Sequence, residues 1–294
     1  MSKPFLDDYN PQNVDSSTFD STNPDGIKQA FLLCAVGPPG TGKTFSMMAY
    51  VEDLVKNHDI HKIWWLSPTY HNNEGHADIL RKLGIEIEVC DDMKDAYGFL
   101  TQLKEEQLKL KDIWKEIKTQ YPTFEKFHQF VEYIMKNEAI KMVATLRNPN
   151  FNGALPNTLE ERAKQYMEKK GIKEKMKLLP YGEFILERIN KMGGEREFYE
   201  KPPLCLLFCD DIQGTKLMTI SRDSPFMNFL IKHRHYYTSV IFCVHSIKGG
   251  LPSTVRAQIT DWAVFKIHDP KLIRTVYEEA ANAEGLPEDF DQFF

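Results

Sequence analysis

The sequence predicts an α/β fold, a mostly parallel sheet sandwiched by helices and interrupted by a helical insertion. Three observations predict it. Ala30–Val36 and Leu204–Cys209 are uninterrupted apolar runs, the composition of strands buried on both faces. Strand-like runs alternate with segments of helical period, behind the first run and again over Pro225–Lys232, and this alternation is the mark of a parallel sheet. Between about 93 and 201 the pattern changes to charged and apolar residues mixed at helical spacing, which separates the two strand-rich stretches. A chain of 294 residues has room for one large α/β domain with an insertion, or for two small domains.

In chain order, residues 1–26 are rich in Asp, Asn, Ser, Thr and Pro and read as a poorly ordered or surface-hugging arm. The core then occupies 27–92 and 202–294. After the first apolar run, Met47, Met48, Val51, Leu54 and Val55 recur at helical spacing and predict a helix packed on the sheet. Lys62–Ser67, with Trp64 and Trp65, reads as the second strand. Ile85–Cys90 alternates apolar and acidic residues, so one face is wet and the strand belongs at a sheet edge. Within the insertion, 93–201, Phe124, Phe127, Val131 and Ile134 share one helical face, and Thr158 with Glu161 fits a capping box. The sheet resumes at Leu204–Cys209. A helix over Pro225–Lys232 follows, then strands over Ser239–Val244 and Trp262–Ile267.

Bulk properties exclude several classes. The chain is 42% hydrophobic, enough for a packed core and too much for a disordered segment. Its net charge of −5 provides no global positive field, so any DNA contact has to come from a local patch or an assembled ring. Of five cysteines, Cys34, Cys205, Cys209 and Cys243 fall in apolar runs and read as packed, reduced thiols, which points to a reducing, intracellular compartment. There is no C-x-x-C pair to build a zinc site. A basic segment leading into an apolar stretch is missing at the N-terminus, so no signal peptide is expected. No apolar run approaches the length of a membrane span.

The chemistry concentrates at two places. Gly37-Pro38-Pro39-Gly40-Thr41-Gly42-Lys43-Thr44 fits G-x-x-x-x-G-K-[ST] between a buried-type strand and an amphipathic helix, the context a P-loop requires. Glycines let successive N–H groups turn toward phosphate oxygens, and a helix starting near Lys43 presents its positive end to the same anion. Lys43 is expected on the β- and γ-phosphates of ATP, and the Thr44 hydroxyl on Mg²⁺. Asp210 and Asp211 end an apolar strand, at the rim of a parallel sheet where ligands bind. Asp210 suits magnesium and Asp211 suits activation of the attacking water; a pair of solvated turn or capping acids is the bland alternative. Together these predict a P-loop NTPase. Two adjacent acids favour hydrolysis over phosphate transfer to a small acceptor.

A resemblance enters in the last third. Phe229-Leu230-Ile231-Lys232-His233-Arg234-His235-Tyr236-Tyr237-Thr238-Ser239-Val240-Ile241 leads to Val244-His245-Ser246. Then come Leu251-Pro252-Ser253-Thr254-Val255-Arg256-Ala257-Gln258-Ile259-Thr260 and a strand from Trp262. This order resembles the poxvirus-type genome-packaging ATPases of large DNA viruses, within the FtsK/HerA superfamily, and Trp65-Leu66-Ser67-Pro68-Thr69 looks like their second strand and its exit. The resemblance covers 30–70 and 204–268 and leaves out the arm and the insertion. It implies an ATP-driven motor that works as a homo-oligomeric ring and pumps double-stranded DNA into a preformed capsid at its vertex, in host cytoplasm or nucleus where virions assemble. It also implies an arginine supplied by a neighbouring subunit, Arg256 first and Arg234 second, either of which could instead be a surface or DNA-facing residue. Relatives often carry Gln where His245 stands. Both side chains can hydrogen-bond a γ-phosphate or the attacking water, so His245 is a candidate sensor, with Ser246 able to share the role.

For DNA, the basic excess over 161–177 (Arg162, Lys164, Lys169, Lys170, Lys173, Lys175, Lys177) and the loop Lys248-Gly249-Gly250 are rival surfaces, and a solvated helix face is the alternative for the first. Three other functions stay open. Asp210-Asp211-Ile212-Gln213 superficially resembles a helicase acid box, although little chain remains for a second motor lobe. A nucleotide kinase and an ATP-gated interaction module are the others.

Overall fold

The computed structural model describes residues 30–133, 182–218, 224–248 and 250–280. The arm over 1–26, Ile134, the Thr158–Glu161 box and the basic stretch over 161–177 lie outside the described residues.

The chain divides into two compact units, one of residues 1–107 with 204–294 and one of residues 108–203. In the first, a six-stranded sheet is parallel at every pairing. Its strands are β1 (Leu32–Val36), β2 (Lys62–Leu66), β3 (Glu86–Cys90), β4 (Cys205–Asp210), β5 (Thr238–Val244) and β6 (Asp261–Val264), in the spatial order β3-β2-β4-β5-β1-β6. The four inner strands are buried throughout, as their apolar runs require. β3 is an edge strand with partly exposed positions, in keeping with its Ile-Glu alternation. β6 closes the other edge and stops three residues short of the predicted Ile267. Its partner β1 ends at Val36 and turns into the glycine-rich loop, so after Phe265 N–H bonds Val36 O no ladder remains to extend it.

Helix α1 (Lys43–Lys56) buries Met47, Met48, Val51, Leu54 and Val55, the stripe its spacing predicts. Helix α2 (Glu74–Lys82) lies between β2 and β3 in sequence. Helix α3 (Ala96–Gln120) begins close to the predicted start of the insertion, but its residues up to Gln107 belong to the sheet-bearing unit. Trp64 of β2 meets Phe99 edge-on at 5.1 Å between ring centres. Lys62, almost fully buried, is held by Glu106 of α3 at 3.0 Å and Glu86 of β3 at 2.9 Å. A charge can be buried there because each side of it is paired.

The second unit is helical where it is described: the rest of α3, a helical stretch over 124–133, α4 (Gly182–Lys191) and α5 (Glu195–Glu200). Its core joins Ile117, Tyr121, Phe127, Phe130, Val131, Ile185 and Phe198, with Phe124 packed against it. Two polar tips on this core are paired, Trp114 Nε1 donating to Phe198 O at 3.0 Å and Tyr199 OH to Tyr121 O at 2.8 Å. All five cysteines are buried free thiols. Among the described residues no helix is long and apolar enough to cross a membrane.

Candidate functional site

Strand order builds the site. β5 runs between β1 and β4, so the residue after β5 falls between the loop leaving β1 and the acids ending β4. All three ends lie on the carboxyl rim of the sheet, where α/β proteins bind ligands.

The loop from Gly37 to Gly42 turns sharply into α1. Gly37 N–H donates to Val244 O at 3.2 Å, tying the loop's start to the end of β5. A Cβ at Gly37 would stand 2.8 Å from Phe265 Cβ, so only glycine lets the two backbones pass. Gly42, at φ 82°, is the left-handed residue that starts α1, a position that strains side-chain-bearing residues. It has no side-chain cap, and the first intrahelical bond is Ser46 N–H to Gly42 O at 2.9 Å. The amides of Lys43, Thr44 and Phe45 are therefore directed out of the helix end, as anion recognition requires.

Lys43 is nearly buried, and its ammonium donates to Pro38 O at 2.9 Å and to His245 Nδ1 at 3.3 Å. Burial lowers its pKa from the usual lysine value, while Asp211 and Asp210 pull the other way. An ammonium can only donate, so Nδ1 of His245 accepts, and the ring proton sits on Nε2. From there it is donated to Asp211 Oδ1 at 3.0 Å. The other Asp211 oxygen, Oδ2, accepts from Thr69 Oγ1 at 3.1 Å. Asp211 itself has φ 53°, a left-handed conformation unusual for a residue with a side chain. That backbone and the two hydrogen bonds aim its carboxylate along the rim.

Asp210 is buried and accepts from Thr44 Oγ1 at 3.2 and 3.3 Å and from Asn73 Nδ2 at 3.2 Å. Burial first, then the charge of Asp211, pushes its carboxyl up to about 6, against the pull of Thr44, Lys43 and Asn73. The Thr44 hydroxyl and the Asp210 carboxylate thus form a pair of hard oxygen donors at the foot of a phosphate cradle. This donor set fits magnesium, which takes few protein ligands and fills its remaining positions with water and phosphate oxygens. Among the described residues no cluster of three or more His, Cys, Asp or Glu side chains is placed to hold a metal.

The predicted residues Gly37, Pro38, Pro39, Gly40, Thr41, Gly42, Lys43, Thr44, Asp210, Asp211 and His245 therefore come together. The arginines do not join them in the same way. Arg234 lies in the 3-10 turn His233–Tyr236 that precedes β5, at the opposite, amino rim of the sheet, where its charge acts on Asp261 at the start of β6. Arg256 ends the short helix Ser253–Arg256 and donates from Nη1 to Leu251 O at 2.7 Å. Lys248, from the rival DNA loop, pairs with Glu278 at 3.2 Å.

Three residues of the site were given no role from sequence: Thr69, Asn73 and Gln213. Gln213 accepts from His245 N–H at 2.8 Å and donates to Ser246 O at 2.9 Å, fixing the turn after β5. Gly250 packs so closely on Gln213 that any larger residue would collide with it. The best available signal was at Asn73. It stands at the N-cap position of α2, yet its side chain makes no capping bond and turns to Asp210 instead.

Among solved structures, this chain is similar to EssC. The cytoplasmic domain of EssC matches 84% of this chain at 13% identity with a TM-score of 0.42. EssC ATPases 2 and 3 from Geobacillus thermodenitrificans match 87% at 12% identity with a TM-score of 0.43. The matched region is 35% of the length of each of those chains. A likeness this distant is silent on activity. No family model and no curated protein matches the chain.

Proposed function

We propose that the chain is a magnesium-dependent ATPase whose hydrolysis drives the translocation of double-stranded DNA, with packaging of a viral genome into a capsid as the specific task. The observation that carries the ATPase reading is the joined constellation of Lys43, Thr44, Asp210, Asp211 and His245 at the end of the glycine-rich loop. Lys43 and the first-turn amides of α1 neutralise and orient the triphosphate. Thr44 and Asp210 would hold Mg²⁺, which when bound screens the phosphate charge. Asp211 accepts the proton of the attacking water, and the Thr69 and His245 bonds keep its carboxylate on line.

Bound triphosphate has to draw Lys43 away from Pro38 O and His245. Release of that contact frees His245 Nδ1, so the same ring that steadies Asp211 senses whether the cradle is filled. The translocase part of the proposal rests on the likeness of 30–70 and 204–268 to packaging ATPases. It carries with it a ring of identical subunits, an arginine acting on a neighbour's nucleotide, a capsid vertex as docking partner and a reducing compartment, the last supported by five unpaired buried thiols.

The test is ATP hydrolysis by purified protein with and without long duplex DNA, across a range of protein concentrations. A specific rate that rises with protein concentration and with DNA supports the ring motor. A rate indifferent to both leaves a stand-alone ATPase. Stimulation by a protein partner and not by DNA favours an ATP-gated interaction module.

A further inference from the structure

We infer that Phe45, with His76, forms the shelf on which the nucleobase of the bound nucleotide stacks. This deepens the nucleotide reading and rests on it. Phe45 is 67% exposed, the most exposed large apolar side chain among the described residues, although it belongs to a helix whose neighbouring stripe is buried. Leaving an aromatic ring in water at that site forgoes the burial that normally stabilises such a side chain. Its position gives the exposure a use. Phe45 follows Thr44 directly, and its amide is among the outward-pointing first-turn donors of α1. A triphosphate whose terminal groups lie against Lys43 and Thr44 leads its remaining atoms, the sugar and the base, out of the cradle past this residue.

The ring is also held. His76 of α2 meets it edge-on, 5.7 Å between centres at 69°, so one side of the phenyl is braced and the rest stays open. A braced aromatic beside a phosphate cradle offers a π-face at the reach of a nucleobase. Stacking on such a face is tolerant of base identity, because every base presents one. Phe265, whose Cβ packs on Gly37, is only partly exposed, so Phe45 is the more open phenyl beside the loop. The shelf thus gives affinity for nucleosides with little choice between adenine and guanine.

The experiment is competition binding of ATP, GTP and inorganic tripolyphosphate to the full-length wild-type chain and to Phe45→Ala and Phe45→Trp. The expected result for Phe45→Ala is a roughly tenfold loss for ATP and for GTP alike, with tripolyphosphate affinity unchanged. Phe45→Trp restores both nucleotides. His76→Ala gives a smaller loss of the same kind. Equal loss for tripolyphosphate, or no loss for ATP, overturns the shelf. So does a loss of ATP affinity that vanishes as protein concentration rises, since Phe45 would then be covering a subunit interface. If the wild-type chain binds neither tripolyphosphate nor ATP, the nucleotide reading itself fails, an outcome distinct from failure of the shelf alone.

Discussion

At the scale of single residues, the site separates binding from turnover. In the proposed mechanism Lys43 would face the phosphates whatever the state of the water, whereas Asp211 would matter only when the water loses its proton. Lys43→Ala is expected to lower hydrolysis roughly 100-fold or more by removing a preorganised positive charge, and to weaken ATP binding with it. Asp211→Asn keeps shape and most hydrogen-bonding capacity but not basicity. It is expected to cut kcat roughly 10²- to 10⁴-fold while nucleotide affinity, read by equilibrium binding, stays near wild type. Equal loss of both would remove Asp211 from its assigned role. His245 acts on Asp211 and Lys43 through two ring nitrogens. His245→Ala is expected to lower kcat roughly 10- to 100-fold through a misdirected carboxylate, and His245→Gln to recover part of it, since an amide can both donate and accept. A change confined to KM would show that the ring serves binding alone.

At the scale of elements, the turn entering β5 carries a titration that can be read in stability. His233 is buried, and its Nδ1 donates to Thr238 O at 2.7 Å. Burial lowers its pKa to about 4, with the nearby charges of Arg234 and His235 adding to the effect against the Thr238 bond. The folded state therefore holds this imidazole neutral where the unfolded chain would protonate it. Its contribution is fully present above the ordinary histidine value of about 6.5 and is lost as pH falls through about 4. The window corresponds to about 3 kcal/mol. Urea unfolding at a series of pH values is expected to show a stability slope between pH 6.5 and 4 that His233→Gln flattens. A parallel slope in the variant would assign the acid sensitivity to other groups. The same element sets the sheet's polarity. Because Arg234 precedes β5 while His245 follows it, one lies at each rim, and both cannot serve the same nucleotide of the same chain.

At the scale of the whole molecule, the proposed ring makes a prediction that no single chain can satisfy. An arginine acting on the neighbour's nucleotide inactivates a boundary, not a subunit. Mixing wild-type chains with Arg256→Ala chains is expected to lower activity in a non-proportional way, while the variant alone still binds ATP. Because Arg256 also bonds Leu251 O, its thermal stability should be measured alongside, and Arg234→Ala supplies the second arm. Strictly proportional activity in both mixtures would place each active site within one chain.

The glycine-rich loop, the helix behind it, the acid-ended strand and the edge position of β3 were all legible in the sequence by itself. Each depends on neighbours in the chain: glycine's freedom at a turn, a helix start beside it, an apolar run or an alternation of period two. Tertiary structure alone decided that β5 separates β1 from β4. It thereby set His245 between Lys43, 202 positions away, and Asp211, and brought Asn73 to Asp210 across 137 positions. Strand order follows from how crossovers pack across the whole sheet, and local periodicity does not encode it. It also decided that α3 is shared between the units, since one unbroken helical period runs through Gln107 while its buried partners change from sheet residues to helical ones.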